Sequence, residues 1–244
     1  MFERPALRPE FQAEVVEPEG VLLVSERRQA VLPGQLYARL VSVLDGSLTV
    51  GAIVDRLRPV APATHVYLAL ARLEAGGYLT EAGVYDGLPR VEAAFWSALN
   101  GPAATVTPQA ATVAVVTIGD SNTAPLRNAL TGMGLRVNEC GDLTVAVTDD
   151  PLDEGLAVLN VAALDAGRPW LLLKPSDTVP WVGPLFRPGV TGCWECLAHR
   201  VRLNRAAESF LHSRRGGAMP IAAAAAVPAS IEAISALAAI EVAK

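Results

Sequence analysis

Short apolar runs punctuated by turn residues open the chain. Residues 11–18 (FQAEVVEP) and 20–26 (GVLLVSE) read as strands, with Pro18-Glu19-Gly20 as the turn between them. RQAVLPG is a third, short strand that Pro33-Gly34 ends. The period then changes from two to about 3.6. GQLYARLVSVL (34–44) places Leu36, Leu40, Val43 and Leu44 on one helical face before Asp45-Gly46 stops it. TVGAIVDRLR (49–58) has Thr49 as its N-cap and Pro59 beyond its end. ATHVYLALARLEAGG (63–77) aligns Val66, Leu70 and Leu73, and Gly76-Gly77 supplies the stop. Tyr78-Leu79-Thr80 is a last short strand. Three strands and three short helices within residues 1–82 predict an α+β winged helix-turn-helix domain.

Residues 83–111 form a connector. RVEAAFWSALN is amphipathic, with Val91, Ala94, Phe95 and Ala98 at helical spacing, and GPAATVTPQAA reads as a Pro/Thr/Ala-rich linker. From residue 112 to 244 the pattern becomes α/β. The apolar strand Val113–Ile118 leads through Gly119 into a helix; LRVNECG and DLTVAVTDD are strands, EGLAVLNVAALDAG a helix and PWLLLKP a strand. Strands alternating with helices imply a mainly parallel sheet, and runs such as TVAVV and WLLL suit strands buried on both faces.

Composition narrows the function. The 244 residues carry a net charge of −5, so no bulk positive charge favours nucleic acid or an anionic membrane. The third helix has a single arginine, Arg72, which disfavours the DNA-binding regulator that a winged helix otherwise suggests. No secretory signal opens the chain. The apolar stretch 218–240 contains Pro220, Pro228 and Glu232, and reads as a core helix rather than a membrane span. Three cysteines, Cys140, Cys193 and Cys196, make no disulfide framework and suit a reducing, cytoplasmic compartment.

Two motifs carry candidate chemistry. The turn IGDSNTAP stands where a nucleotide-binding fold keeps its phosphate loop, but Gly119 is its only glycine, and a working loop needs several. Cys193 and Cys196 form a Cys-x-x-Cys knuckle of the kind that supplies two zinc ligands. A redox pair or a plain structural pair are the alternatives. His199 is a further candidate ligand that reads better as a packing or capping group. Cys140 reads as a buried thiol, and His65 and His212 as groups without chemical partners. Asp149-Asp150, followed by Pro151, reads as a turn. Neither Gly-x-Ser-x-Gly, His-Glu-x-x-His nor a Walker loop occurs.

The segment GPLFRPGVTGCWECLAHRVRLNR (183–205) closely resembles the zinc-knuckle segment of the cyclodehydratases that make azoline rings in ribosomal peptides, among them the cyanobactin-type heterocyclases and the E1-like partner proteins of YcaO enzymes. GQLY (34–37), RLEAGGYLTEA (72–82), AAFW (93–96), VTDD (147–150), WLLLKP (170–175) and the helix PASIEAISALAAIEVAK match as well, in order along nearly the whole chain. The resemblance implies that the winged helix binds the leader of a precursor peptide as an added strand. That strand would lie beside Arg27, Arg28, Gln29, Ala30, Val31 and Leu32, against Tyr67 and Leu70 of the third helix, and Arg27 and Arg28 would meet acidic leader side chains. It implies that residues 112–244 are an E1-like, Rossmann-related domain that no longer adenylates. It also implies a structural zinc held by two Cys-x-x-Cys pairs. Cys193 and Cys196 would be the first pair, and the second would follow the last helix, beyond Lys244, so the chain reads as truncated. The dehydration would belong to a YcaO domain that uses ATP and magnesium and lies outside this chain, fused or separate. A homodimer is a further expectation. An active E1-like adenylating enzyme is the alternative function, and a DNA-binding regulator the second.

Overall fold

A computed structural model of the chain describes residues 2–100, 112–204, 214 and 225–244. The 101–111 linker, His212 and residues 218–224 of the apolar stretch lie outside the described residues. The chain divides into two compact units, Met1–Val106 and Thr107–Lys244.

In the first unit, β1 (Pro5–Leu7) pairs antiparallel with β5 (Leu79–Glu81), while β2 (Gln12–Val16), β3 (Gly20–Val24) and β4 (Gln29–Pro33) form an antiparallel sheet in the order β2-β3-β4. The helices are α1 (Gln35–Val41), α2 (Val50–Leu57), α3 (Ala63–Ala75) and α4 (Arg90–Asn100). Thr49 caps α2 as its side chain predicts, with Oγ1 accepting from the Ala52 amide at 3.3 Å. Leu40, Ile53, Val66, Leu70 and Leu73 close one core. Phe11, Val21 and Leu23 close a second beneath the sheet. Burying each such leucine contributes about 2 kcal/mol. β1 carries no legible signal, because three residues are too few to show a period.

The helix α4 forms where its sequence predicts but buries a different face. Ala93, Trp96 and Ser97 point inward, whereas Val91 is 81% and Phe95 47% exposed. The cause is polar. Arg8, almost wholly buried, donates through Nε to Ser97 Oγ at 3.1 Å, through Nη2 to the Ser97 carbonyl and through Nη1 to the Gly77 carbonyl at 3.1 Å, and pairs with Glu10 at 3.0 Å. A buried guanidinium is costly unless its donors are satisfied, so the helix rotates to bring Ser97 to it.

The second unit holds a five-stranded sheet in the order β10-β9-β8-β6-β7, with β7 (Arg136–Asn138), β6 (Thr112–Ile118), β8 (Leu143–Thr148) and β9 (Trp170–Lys174) parallel and β10 (Trp181–Phe186) antiparallel at the edge. Its helices are α5 (Ala124–Gly132), α6 (Glu154–Ala166), α7 (Trp194–Asn204) and α8 (Pro228–Val242). Leu126, Leu130 and Ala238 cover one face of the sheet, and Leu156, Trp194 and Ala198 the other. β9 is buried along its whole length, as an apolar run flanked by layers on both sides should be. β10 escapes sequence reading because Gly183-Pro184 interrupts it at a register shift. No helix of the described residues is long and apolar enough to cross a membrane.

Candidate functional site

β4 is an edge strand: among the described residues its only partner is β3. The register fixes which main-chain groups are free. The Gly34 amide donates to the Glu19 carbonyl at 2.9 Å, and the Ser25 amide to the Arg28 carbonyl at 2.8 Å. In an antiparallel ladder bonding alternates, so Arg28, Ala30, Leu32 and Gly34 face β3. Gln29 and Val31 therefore turn both N–H and C=O outward, and Pro33 turns out a carbonyl alone. Val31 is 71% exposed, whereas Ala30 and Leu32 pack toward the core with Tyr37 and Tyr78.

The helix α3 sorts its candidates in the same way. Tyr67 is 43% exposed, but Leu70 is 1% exposed and packs in the core. The outward neighbours that sequence reading missed are Leu68, 49% exposed, and Ala71. The helical period could have found them, since Leu68 and Ala71 lie opposite Val66, Leu70 and Leu73. Arg27 is exposed at the β3–β4 turn. Arg28, itself exposed, is committed to contacts within the unit. Its guanidinium lies 4.9 Å from the Tyr78 ring centroid and 5.7 Å from that of Phe11, and Nη2 donates to the Gly76 carbonyl at 2.8 Å.

In the second unit the β6–α5 turn occupies the switch point, where the chain crosses from β7 to β8 on either side of β6. Two of its potential main-chain donors cannot serve an anion. Asn122 Oδ1 accepts from the Ala124 amide at 2.9 Å, and Pro125 has no N–H to offer. Thr148 Oγ1 donates to the Asp150 carbonyl at 3.0 Å, and Asp150 Oδ1 accepts from the Leu152 amide at 3.0 Å, which is the turn expected of Asp149-Asp150. Asp149 itself accepts from Ser176, and Lys174 pairs with Asp177.

The Cys-x-x-Cys knuckle stands at the start of α7. Trp194 anchors it: its amide donates to Asn160 Oδ1 at 3.0 Å and its indole Nε1 to the Pro151 carbonyl at 2.9 Å, deep in the core. Cys193 and Cys196 hold their sulfurs 3.9 Å apart. The Cys196 backbone amide beside Cys193 holds its thiol below the usual value, against the opposing effect of burial. The two thiols remain a pair. Among the described residues no group of three or more His, Cys, Asp or Glu side chains is placed to hold a metal ion, zinc or magnesium. This corrects the expectation of zinc at Cys193 and Cys196, since structural zinc takes four ligands. His199 is exposed on α7, and Cys140 is exposed rather than buried.

These two units define a class: a winged helix-turn-helix followed by an E1-like α/β domain. Residues 6–81 match the family model of a winged helix-turn-helix domain. The chain is similar to the heterocyclase TruD, with 36% identity over 99% of this chain and 36% of that one and a TM-score of 0.84. It is similarly close to a heterocyclase solved in complex with substrate and cofactor, with 36% identity, 99% and 32% coverage and a TM-score of 0.81. It thus spans about a third of the length of the heterocyclases it matches. E. coli MccB shares the fold, at 13% identity over 98% of this chain and 88% of that one with a TM-score of 0.62. No match is found among curated proteins.

Proposed function

We propose that this chain recognises the leader of a precursor peptide and presents its Cys, Ser or Thr residues to a YcaO domain for cyclodehydration to azolines. The observation that carries the reading is the open edge of β4. It offers two amides and three carbonyls, at Gln29, Val31 and Pro33, to an incoming strand, and main-chain bonds of this kind give affinity without fixing a side-chain sequence. Val31 beside the edge and Tyr67, Leu68 and Ala71 on α3 provide apolar and aromatic surface for selection, with Arg27 as the free charge at the turn. Leu70, buried, shapes this surface from behind. The similarity to heterocyclases along the chain supports the same reading. A DNA-binding role is disfavoured by the outward face of α3, whose only arginine is Arg72. Adenylation is disfavoured by the β6–α5 turn, in which Gly119 is the only glycine and Asn122 takes the Ala124 amide.

The test is direct. A fluorescein-labelled synthetic leader, taken from the precursor peptide encoded beside this chain, is titrated with the full chain and followed by anisotropy. Saturable binding that excess unlabelled leader competes away supports the reading. No binding sinks it.

A further inference from the structure

We infer that Arg28 is a positioning residue of the peptide seat, acting through the fold rather than through charge on the peptide; this rests on the reading of β4 as that seat. Arg28 ends the β3–β4 turn, where Ser25 Oγ accepts from its amide at 3.1 Å and the Ser25 amide donates to its carbonyl at 2.8 Å. The turn therefore fixes the backbone from which the side chain leaves. The guanidinium then reaches back into the unit, over the Tyr78 and Phe11 rings, to the Gly76 carbonyl. Phe11 and Tyr78 meet edge to face at 5.2 Å, so the two rings form a rigid platform.

Gly76 completes the device. It follows the last turn of α3, and a Cβ built there would lie 2.4 Å from Tyr78 Cε2. Only glycine lets the tyrosine ring lie against the helix end. The missing side chain at Gly76 thus places Tyr78, Tyr78 places Arg28, and Arg28 ties the start of β4 to the carbonyl that closes α3. β4 and α3 are the two walls of the seat, and Arg28 is the cross-member that fixes their spacing at one end. A seat held at that spacing before the peptide arrives loses less entropy on binding. Lysine cannot replace it, because a planar fork stacks and donates at once, whereas an ammonium is a hydrated point charge.

The anisotropy titration with the same fluorescein-labelled leader, on the full chain, separates the possibilities. Arg28→Ala and Arg28→Lys should each weaken binding about two- to fivefold, which is the scale of losing a cation–π contact at an exposed site. The loss should persist at about 0.5 M salt, where exposed charge pairs are screened. It should persist too with a leader whose Asp and Glu are replaced by Asn and Gln. Gly76→Ala, which alters no charge, should weaken binding comparably, and the double variant should lose no more than the worse single one. Arg27→Ala serves as the exposed-charge control and should lose its effect in salt. Thermal melts accompany each variant, and Tyr78→Leu stands in if Arg28→Ala does not fold. Unchanged affinity in Arg28→Ala, restoration by lysine, or a loss that vanishes with the carboxylate-free leader would overturn the inference. Failure of the unaltered chain to bind would instead remove the reading beneath it, and the inference with it.

Discussion

β4 and the β6–α5 turn stand at the two places where their folds most readily take a ligand: a sheet edge, and the switch point of a parallel sheet. They treat their main-chain groups in opposite ways. At β4, Gln29 and Val31 keep amides and carbonyls turned outward, and Arg28, which could have covered them, is folded back onto Tyr78 and Gly76. At the β6–α5 turn, Asn122 takes the Ala124 amide, Pro125 removes the next, and the carboxylates nearby are bonded within the unit. The apolar sheet carries the stability of this unit, while side chains at the β6–α5 turn bond within it. The winged helix keeps an edge open instead, with one side of β4 unpaired among the described residues.

The largest effect should come from closing the open edge. Val31→Pro removes an outward amide without touching the ladder to β3, and should weaken leader binding on the order of a hundredfold while the far-ultraviolet spectrum stays unchanged. Val15→Pro does the same to the other edge of the sheet, at β2, and should leave the affinity within about threefold. Equal losses in both variants would break the distinction between β4 and β2.

Next in size is the contrast between the two faces of α3. Leu70→Ala should lower the unfolding free energy in urea by about 2–5 kcal/mol, because it empties a core position. Leu68→Ala, on the outward face, should change stability by no more than about 0.5 kcal/mol yet weaken leader binding. A destabilising Leu68→Ala would mean that this face is already occupied.

Smaller effects sharpen the other half of the comparison. Asn122→Ala removes the side chain that satisfies the Ala124 amide and should cost about 1 kcal/mol in urea unfolding. ATP should leave the melting temperature of both the unaltered chain and this variant in place; a rise in either would show a live nucleotide site.

The smallest effect concerns Cys193. Its thiol titrates below the ordinary value because the thiolate accepts the Cys196 amide. Iodoacetamide should therefore modify it with a midpoint at lower pH in the folded chain than in urea. The sign for stability follows: the contribution is present above the unfolded thiol's pKa and fades as pH falls through the lower folded value.

Much of the architecture is legible wherever a residue's role is local. Thr49 caps α2 because a threonine before a helical period has one good use for its oxygen. Val66, Leu70 and Leu73 are buried because helical spacing puts them on one stripe. The same rule fails on α4. Apolar spacing selects Val91, Ala94, Phe95 and Ala98, but Arg8, eighty-nine residues from Ser97 in sequence, recruits the opposite face. β10 fails for a related reason: its pairing with β9 tolerates Gly183-Pro184 only because a register shift absorbs them. At the candidate site the strand was legible, but its outward groups were not. Whether Val31 or Ala30 faces the edge depends on where β3 stops, and a one-residue slip would exchange them.

The sequence by itself determined the helices α2 and α3, the buried central strands β6, β8 and β9, the single glycine of the β6–α5 turn and the knuckle at Cys193 and Cys196. These follow from residue types and short spacings. Only the tertiary structure decided that the Arg28 guanidinium lies over the Tyr78 ring and bonds the Gly76 carbonyl, that α4 turns Ser97 inward and that Val31 rather than Ala30 is exposed at the edge of β4. Each of those outcomes rests on contacts between residues far apart in the chain. Burial and hydrogen-bond satisfaction are settled by the whole packed unit, not by any stretch of sequence within it.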